Sequence, residues 1–217
     1  MIFVDRTDAG RRLAEHLLTL HLDDPIVFAL PRGGVPIGVE VARALGAPLD
    51  VLIVRKIGAP GYPEVALAAV ADPTETGADA LTVINDDVYQ ATGRDSAGLD
   101  QARAEQLREI DRRRARYRGS RAPLDVRGRC ALVVDDGVAT GATARAALST
   151  LRAQGAASTV LAVPVGPADT LAEMGQAADV VVFLHAPRAF WAIGAFYGDF
   201  HQLSDDETVA ALSEIWG

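Results

Sequence analysis

The chain has very little cysteine and no long uninterrupted apolar segment. Its 217 residues include one cysteine, Cys130, so no disulfide can form within the chain and a small disulfide-stapled fold is excluded. No uncharged apolar run approaches the roughly 18 residues of a membrane-spanning helix. The N-terminus also lacks a basic segment followed by an apolar core. We therefore expect a cytoplasmic protein with no signal peptide and no membrane partner.

The charged residues are unevenly distributed among types, since lysine is almost absent. The overall charge argues against nucleic acid as a partner. The formal net charge is -8 at pH 7, so the overall charge does not favour a polyanionic partner, although a local basic patch could still bind one. The 21 cationic residues comprise 20 arginines and one lysine, Lys56. An arginine cluster near residue 115 suits a solvated face or a subunit contact, so a homodimer is left open. The cluster consists of Arg112, Arg113, Arg114, Arg116, Arg118 and Arg121.

Short apolar runs alternate with helix-like segments, the pattern of an α/β domain with a mostly parallel sheet. Apolar residues make up 49% of the chain, which is enough for one domain with a substantial core. Gly46 is placed to end a helix, and the spacing of Ser204 and Glu207 predicts a capping box that opens the last one. Periodicity is weak over residues 72–96. The predicted strands cover residues 26–30, 50–56, 129–134, 158–163 and 179–184, with a further candidate at 67–71; the predicted helices cover 36–45, 99–118, 143–154 and 168–176.

The most informative segment is LVVDDGVATGAT, residues 132–143. A short apolar strand leads into two adjacent carboxylates, Asp135 and Asp136, and then into a loop of small residues that opens a helix. Backbone amides, two hydroxyls and a helix N-terminus in this loop form a cradle suited to a phosphate dianion. The loop has no lysine, which excludes a nucleoside-triphosphate P-loop. Its residues are Ala139, Thr140, Gly141, Ala142 and Thr143.

Two carboxylates directly upstream of a phosphate site suggest a phosphorylated pentose as the ligand. The 5′-phosphate would lie in the cradle, and the sugar hydroxyls would donate to Asp135 and Asp136. The alternative interpretation is a buried strand, an Asp-Asp-Gly turn and a helix N-terminus with no ligand. The complete string favours the phosphate site, because an isolated Asp-Asp-Gly turn is common and the whole arrangement is not.

The segment LVVDDGVATGAT closely resembles the phosphoribosyl-diphosphate (PRPP) binding motif of type I phosphoribosyltransferases. The segment LPRGG, residues 30–34, resembles that family's diphosphate loop, and VRKI, residues 54–57, resembles the basic pair before its flexible catalytic loop. These segments follow in the family's order, and the similarity covers roughly residues 25–72 and 128–185. RKIGAPG and YGDFHQ further resemble a bacterial subgroup of phosphoribosyltransferase-like proteins.

The resemblance implies the type I phosphoribosyltransferase fold, an α/β fold with a parallel central sheet flanked by helices. A single domain would cover residues 1–217, with its core at about 25–185. A flexible loop and a long charged helix would form an insertion at about 57–122, and a C-terminal hood would cover about 186–217.

The resemblance also implies the reaction and its metal. With Mg²⁺ as cofactor, the phosphoribosyl group of PRPP would pass to a nitrogenous base or related acceptor, with release of diphosphate. Asp135 and Asp136 would orient the sugar and hold the metal, and together with Arg32 and Lys56 they are the candidate catalytic residues. The candidate diphosphate-binding residues are Arg32, Gly33, Gly34, Arg55 and Lys56.

The loop around Arg32 has a physical interpretation of its own. It puts a guanidinium, which can grip two oxygens at once, beside two glycines that can adopt positive φ. An ordinary strand-to-helix turn with an exposed arginine is the alternative. In the family this loop often contains a non-proline cis peptide bond.

Aromatic residues are only 6% of the chain, yet they concentrate in residues 187–202. This segment is predicted to form either a small satellite core or a hood whose ring stacks on a planar acceptor. Its candidate acceptor contacts are Phe190, Trp191, Ile193 and Asp199. Enzymes of the family that act on 6-oxopurines usually carry an aspartate where this loop has Ala139, so such an acceptor is disfavoured. Glu64 and Asp199 are the candidate proton acceptors.

Two other functions stay open on the sequence. One is a regulatory protein that senses PRPP or a nucleotide without chemistry, which Ala139 and the arginine cluster keep in consideration. The other is a hydrolase that acts on a sugar phosphate at the same loop.

Overall fold

A computed structural model describes residues 2–59, 61–73, 80–92 and 96–216 of the chain. Within these residues a five-stranded parallel sheet is flanked by helices, as the sequence predicts, and a three-stranded antiparallel sheet lies beside it. The strands are β1 Pro25–Ala29, β2 Leu49–Val51, β3 Val54–Ala59, β4 Tyr62–Ala71, β5 Leu81–Ile84, β6 Cys130–Val134, β7 Ser158–Val165 and β8 Val180–His185. The helices are α1 Arg6–Leu17, α2 Gly34–Leu45, α3 Asp86–Thr92, α4 Ser96–Tyr117, α5 Ala142–Ala153, α6 Ala168–Met174 and α7 Asp205–Trp216, with a 3-10 helix at Ile193–Phe196.

The central sheet has the strand order β2-β1-β6-β7-β8, with every neighbouring pair parallel. In the register of the two central strands, Ala29 of β1 lies beside Val134 of β6. The carboxyl ends of parallel strands meet at the same edge of a sheet, where α/β proteins bind their ligands. The segments after β1 and β6, which carry the two sequence motifs, therefore come together at that edge.

The central strands are apolar without interruption because both faces of the sheet are buried. Successive residues of β6 enter two different cores: Leu132 packs with helices α1, α2 and α7, and Val133 packs with α5 and α6. This alternation follows from the two-residue period of a strand. None of the helices in the described ranges is both long and apolar enough to cross a bilayer.

The prediction of one strand over residues 50–56 is wrong, because the chain changes sheets there. Strand β2 ends at Val51 and β3 begins at Val54 in the antiparallel sheet. Two backbone hydrogen bonds fix this crossing: the Leu52 amide donates to Ala29 at 3.0 Å, and the Asp72 amide donates to Ile53 at 3.0 Å.

The part of the predicted flexible loop that the structure describes is a hairpin of β3 and β4. Val54 pairs with Ala71 and Lys56 with Ala69, so the strand candidate at 67–71 is confirmed as part of β4. Strand β5 and helix α3 lie in the segment of weak periodicity, where the short and largely exposed elements leave no clear apolar pattern. Residues 60, 74–79 and 93–95 of the predicted insertion lie outside the described residues.

The predicted helix boundaries at Gly46 and Ser204 are confirmed. Gly46 has φ 62° and ends α2 in the left-handed conformation that glycine favours. At the start of α7 the Glu207 amide donates to Ser204 Oγ at 3.2 Å, and the Ser204 amide donates to Glu207 Oε2 at 2.8 Å. These reciprocal bonds are the expected capping box.

The arginine cluster is not simply a solvated face, because Arg118 is buried in an ion cluster. Its guanidinium donates to Asp50 Oδ1 at 3.1 Å, to Asp72 Oδ2 at 2.5 Å and to the Val51 carbonyl at 2.9 Å. Arg118, Asp50 and Asp72 are all at most 5% exposed. The cluster thus holds the end of α4 against the segment where the chain passes between its two sheets.

Replacing Arg118 with methionine should lower the free energy of unfolding by about 3–5 kcal/mol, because two buried carboxylates lose their shared cation. The matched control is Arg116→Met in the last turn of α4, two residues before Arg118; the partner of Arg116, Asp206, is exposed. This variant should cost at most about 1 kcal/mol. Urea unfolding of both variants measures the difference. Equal losses would show that the buried cluster contributes no more than a surface ion pair.

Candidate functional site

A small cavity lies where strand β6 ends and helix α5 begins. Its volume is about 180 Å³, and it is lined by Asp135, by loop residues 137–144 and by Ile193 of the C-terminal segment. All five residues of the predicted phosphate cradle are among its walls. The structure therefore brings the predicted cradle, one of the two predicted carboxylates and one predicted hood residue to a single concave site.

The loop leaves amide hydrogens open toward a ligand. Helix α5 follows Gly141, and its first amide with a well-placed main-chain acceptor is that of Arg145, which donates to Gly141 at 2.8 Å. The Ala142 amide is 3.5 Å from Thr140 Oγ1, a long contact, and the Thr143 and Ala144 amides have no acceptor among the described residues. Unpaired amides at a helix N-terminus carry partial positive charge and suit an anion.

Gly141 suits this turn because of its backbone conformation, and a side chain there would also be crowded by Met174. Its φ is 73°, and a Cβ there would lie 2.9 Å from Met174 Cε. The loop is held from outside by two bonds: Thr170 Oγ1 donates to the Ala139 carbonyl and Arg145 Nη2 donates to the Thr140 carbonyl, both at 3.0 Å. These bonds engage carbonyl oxygens of the loop, so its amides are the groups that remain available.

The two adjacent carboxylates have different surroundings. Asp135 is partly buried on the cavity wall, and its Oδ1 accepts from the Asp136 amide at 2.9 Å. Asp136 is buried, and its Oδ2 accepts from Arg6 Nε at 2.9 Å. Burial and the neighbouring Asp136 charge raise the pKa of Asp135 well above its usual range. Burial also raises the pKa of Asp136, although Arg6 opposes this shift.

The predicted diphosphate loop packs directly against the acidic pair. A Cβ on Gly33 would lie 2.0 Å from Asp136 Oδ2, and a Cβ on Gly34 would lie 2.6 Å from the Val134 carbonyl. Gly33 has φ -58°, so the argument from positive φ is wrong here and close packing is the reason for glycine. The peptide bond between Pro31 and Arg32 is cis, as the resemblance implies.

The side chain of Arg32 lies beside the start of the last helix. Its Nη1 is 3.6 Å from Asp205 Oδ1, and the same carboxylate oxygen accepts from the Tyr117 hydroxyl at 2.6 Å. Arg112 and Arg116 of the arginine cluster also pair with acids of α7. Part of that cluster therefore joins α4 to α7 within the chain.

The two basic residues of β3 differ in position. Arg55 Nε donates to Gln106 Oε1 of α4 at 3.0 Å, so the Arg55 side chain lies against that helix. Lys56 pairs with Ala69, which lines a second cavity of about 460 Å³ together with Thr140 and Ala142. The backbone of Lys56 is thus one strand away from a cavity that adjoins the cradle. The Glu64 side chain lies outside the described part of the chain.

The predicted hood residues serve both interpretations of that segment. Ile193 packs on the cradle, since a Cβ on Gly137 would lie 2.8 Å from its Cγ2. Phe190 stacks on Phe196 with ring centroids 5.7 Å apart, as a satellite core requires. Trp191 is 88% exposed and free of that core. Asp199 is bound by His201, and the distance between His201 Nδ1 and Asp199 Oδ1 is 2.9 Å.

The sequence interpretation missed Arg6, Tyr197 and Asp205. Arg6 contacts Asp136, the Tyr197 hydroxyl donates to the Asp136 carbonyl at 2.6 Å, and Asp205 faces Arg32. Tyr197 lies in the aromatic segment that the sequence does single out. For Arg6 and Asp205 no local pattern distinguishes them from ordinary charged residues near a helix start.

Gly141→Ala should destabilise the protein more than Gly128→Ala. Both glycines have φ near 72°, where a side chain costs about 1–2 kcal/mol, but only the alanine at 141 would also meet Met174. Urea unfolding of the two variants separates the collision from the backbone strain. Equal losses of free energy would contradict the packing argument.

The contacts of His201 predict a pH dependence of stability. Asp199 and Glu207 raise the pKa of His201, and Ser204 and His201 lower the pKa of Glu207 to about 2. The contribution of His201 to the free energy of unfolding is fully present below its ordinary pKa of 6.5. It is lost as pH rises through the raised pKa of the folded protein. The contribution of Glu207 to the free energy of unfolding is fully present above pH 4.5, its ordinary pKa, and is lost as the pH falls toward 2.

The melting-temperature difference between the wild type and His201→Gln should therefore be largest between about pH 4.5 and 6.5 and should shrink at higher pH. Thermal unfolding across that range measures it, with His16→Gln, an exposed histidine of α1, as the control. A difference that does not change with pH would rule out the ionic contacts of His201 as its cause.

Comparisons with known proteins identify the family of the chain. Residues 5–197 match the family model of the phosphoribosyl transferase domain. Over 211 residues the chain is 49% identical to proteins from two strains of Mycobacterium tuberculosis that bear the provisional name phosphoribosyl transferase. These alignments cover 97% of this chain and 46% of each relative, so the chain spans about half the length of those curated relatives. A Thermus thermophilus protein of known crystal structure is 42% identical with a TM-score of 0.88, covering 99% of both chains. The chain belongs to the phosphoribosyl transferase family.

Proposed function

We propose that the chain is a phosphoribosyltransferase. It transfers the phosphoribosyl group of PRPP to a nitrogenous base or related acceptor and releases diphosphate. The observation that supports this most is the cavity of about 180 Å³, which is lined by Asp135 and by Thr143 and Ala144, whose amides are open. A ligand that fills it needs an anionic group at one end and hydrogen-bond donors a short distance away. The 5-phosphate and the hydroxyls of a phosphorylated pentose meet both requirements.

Within this proposal the cradle binds the 5-phosphate, and Asp135 accepts hydrogen bonds from the sugar hydroxyls. Asp135 lies on the cavity wall with one oxygen already fixed by the Asp136 amide, so its orientation is set before the sugar arrives. Cleavage of the bond between sugar and diphosphate builds positive charge on the ring. A carboxylate held near the ring stabilises that charge without having to reorient during the reaction.

The diphosphate is assigned to the loop that follows β1. The Arg32 side chain is about one-third exposed and lies 3.6 Å from Asp205, so its fork of donors is available to a departing anion. Lys56 is the other candidate cation for the diphosphate, because it pairs with Ala69, a residue that lines the second cavity. Arg55 is assigned a supporting role, since its side chain is engaged with α4.

The residues present fit a divalent cation such as Mg²⁺ that the substrate itself helps to hold. The second oxygen of Asp135 has no hydrogen-bond partner in the described part of the chain, and no group of three or more potential ligand side chains surrounds it there. Mg²⁺ is commonly bound through one or two carboxylates plus substrate oxygens and waters. Asp135 would be its protein ligand, and the bound ion would neutralise charge on the diphosphate.

The acceptor would approach from the C-terminal segment. Ile193 already lines the cavity, and the exposed Trp191 and the partly buried Phe190 offer aromatic surface nearby in the chain. No carboxylate stands at the Ala139 position, so the acceptor proton has to go elsewhere. Asp199 is a weak base for this purpose, because the bonds from His201 lower its pKa.

Incubation with PRPP, MgCl₂ and a panel of purine, pyrimidine and other nitrogenous bases tests the proposal. Release of diphosphate together with a nucleotide is the expected result. Diphosphate without nucleotide would indicate hydrolysis of the sugar phosphate, and PRPP binding without turnover would indicate a sensor. An absence of PRPP binding by calorimetry would contradict all three functions.

Asp135→Asn should weaken PRPP binding at least tenfold, equivalent to about 1.4 kcal/mol, because the sugar loses its charged acceptor. Melting temperature should change little, since the asparagine oxygen can still accept from the Asp136 amide. Asp100→Asn, an exposed carboxylate on α4, is the matched control and should bind as the wild type does. Unchanged affinity in Asp135→Asn would remove this residue from the sugar site.

A further inference from the structure

The second cavity lies between helix α5 and the antiparallel sheet, beside the cradle but with walls of its own. Its volume is about 460 Å³, which falls in the range of about 300–1,000 Å³ that is usual for small-molecule sites. Strands β4 and β5 form one wall, and α5 forms the other. The acidic pair, the loop after β1 and the C-terminal aromatic segment do not line it. Apart from the cradle residues Thr140 and Ala142, the proposed function uses none of the residues on its walls.

The wall on the sheet side is apolar and incompletely covered. Val65 and Ile84 line it and are 44% and 41% exposed, although both are large aliphatic residues. Ala68 and Val83 complete this wall. Strand β5 is the edge strand of its sheet, so within the described ranges no further strand covers it. An apolar body placed against this wall would remove the exposed surface from water, which is favourable.

The wall on the helix side carries an arginine whose donors are only partly used. Both hydrogen bonds of the Arg145 side chain come from Nη2, which donates to the Thr140 carbonyl at 3.0 Å and to Glu173 Oε2 at 3.2 Å. Its Nε and Nη1 have no hydrogen-bond partner among the residues that the structure describes. The Ser149 side chain lines the cavity one turn further along the same helix. A guanidinium with open donors opposite an apolar wall suits a ligand with one anionic group.

The second cavity and the cradle are joined through shared residues. Thr140 and Ala142 line both of them. The Arg145 side chain holds the Thr140 carbonyl from outside the cradle, and the Arg145 amide donates to Gly141 at 2.8 Å. An anion bound to Arg145 would compete with the Thr140 carbonyl for the guanidinium, and it would add negative charge near the cradle. Both effects would weaken the binding of a phosphate there.

We propose that the second cavity is a ligand site that takes a small amphipathic anion. The apolar body of the ligand packs on the wall formed by β4 and β5, and its single anionic group binds Arg145. The occupant weakens phosphate binding at the cradle through Arg145, and by linkage a phosphate in the cradle weakens the occupant equally. The site itself goes beyond the proposed function, and only this coupling rests on it.

Fluorescence titration with anilinonaphthalene sulfonate, an aromatic body that carries one sulfonate, tests the site. Saturable binding of a single probe molecule per chain is expected. Arg145→Met should weaken this binding about tenfold or more, because the sulfonate loses its cation. Arg152→Met is the matched control, since Arg152 lies on the same helix but does not line the cavity, and it should bind as the wild type does. Equal affinity in the wild type and Arg145→Met would overturn the proposal.

Ile84→Ser tests the apolar wall independently of the charge. It should weaken probe binding about threefold or more, because the aromatic body loses apolar contact. Val180→Ser is the matched control, since Val180 is also 41% exposed and also lies on an edge strand. It should leave the affinity unchanged. Equal losses in the two variants would show that the probe binds exposed apolar surface in general and would overturn the site.

Addition of ribose 5-phosphate at increasing concentration tests the coupling. The apparent dissociation constant of the probe should rise and then level off, since two separate sites can be occupied together. Complete displacement of the probe would show that it binds in the cradle and would overturn the proposal, and an unchanged constant would overturn the coupling through Arg145. Failure of ribose 5-phosphate to bind the wild type would contradict the proposed function, and the Arg145 and Ile84 variants would then decide this inference alone.

Discussion

The site depends on how closely the loop after β1 approaches the end of β6. Gly33 and Gly34 allow this approach because each lacks the Cβ that would lie 2.0 Å from Asp136 Oδ2 or 2.6 Å from the Val134 carbonyl. The parallel register of β1 and β6 brings the two segments to one edge, and the glycines let them touch. A larger residue at either position would push the predicted diphosphate loop away from the acidic pair. Sheet geometry and side-chain size together therefore set the distance between the two halves of the site.

Among the described residues, several polar groups at this edge of the sheet lack a partner that a ligand could supply. Two carboxylates lie side by side and burial raises the pKa of each, yet only Asp136 has a cation bound to it within the described part of the site. On the other side of the cavity, helix α5 begins with amides that lack acceptors among the residues that the structure describes. A molecule that carries an anion at one end and hydroxyl donors at the other satisfies both walls. A phosphorylated sugar has this combination.

The sequence predicts the part of this structure that local pattern controls. The central strands β1, β6, β7 and β8, the loop after β6 and the capping box at Ser204 all depend on neighbouring residues. The passage between the two sheets at residues 52–53 does not, since an apolar run looks the same whether it stays in one sheet or crosses to another. The burial of Arg118 likewise depends on Asp50 and Asp72, which are distant in the chain. The roles of Arg6 and Asp205 belong to the same class, because only the folded chain brings their partners near.

Two arginine–aspartate contacts at the site differ in burial and in length. Arg6 and Asp136 are both almost fully buried and joined by a bond of 2.9 Å, so water or a ligand cannot easily replace either partner. Arg32 and Asp205 are each about 30% exposed and 3.6 Å apart, a contact longer than a hydrogen bond and open to solvent. Under the proposed function, an incoming diphosphate, which carries more charge than one carboxylate, would displace Asp205 from Arg32 at little cost. The Arg6–Asp136 pair is thus suited to hold its two side chains in one arrangement. The Arg32–Asp205 pair is suited to exchange Asp205 for another anion.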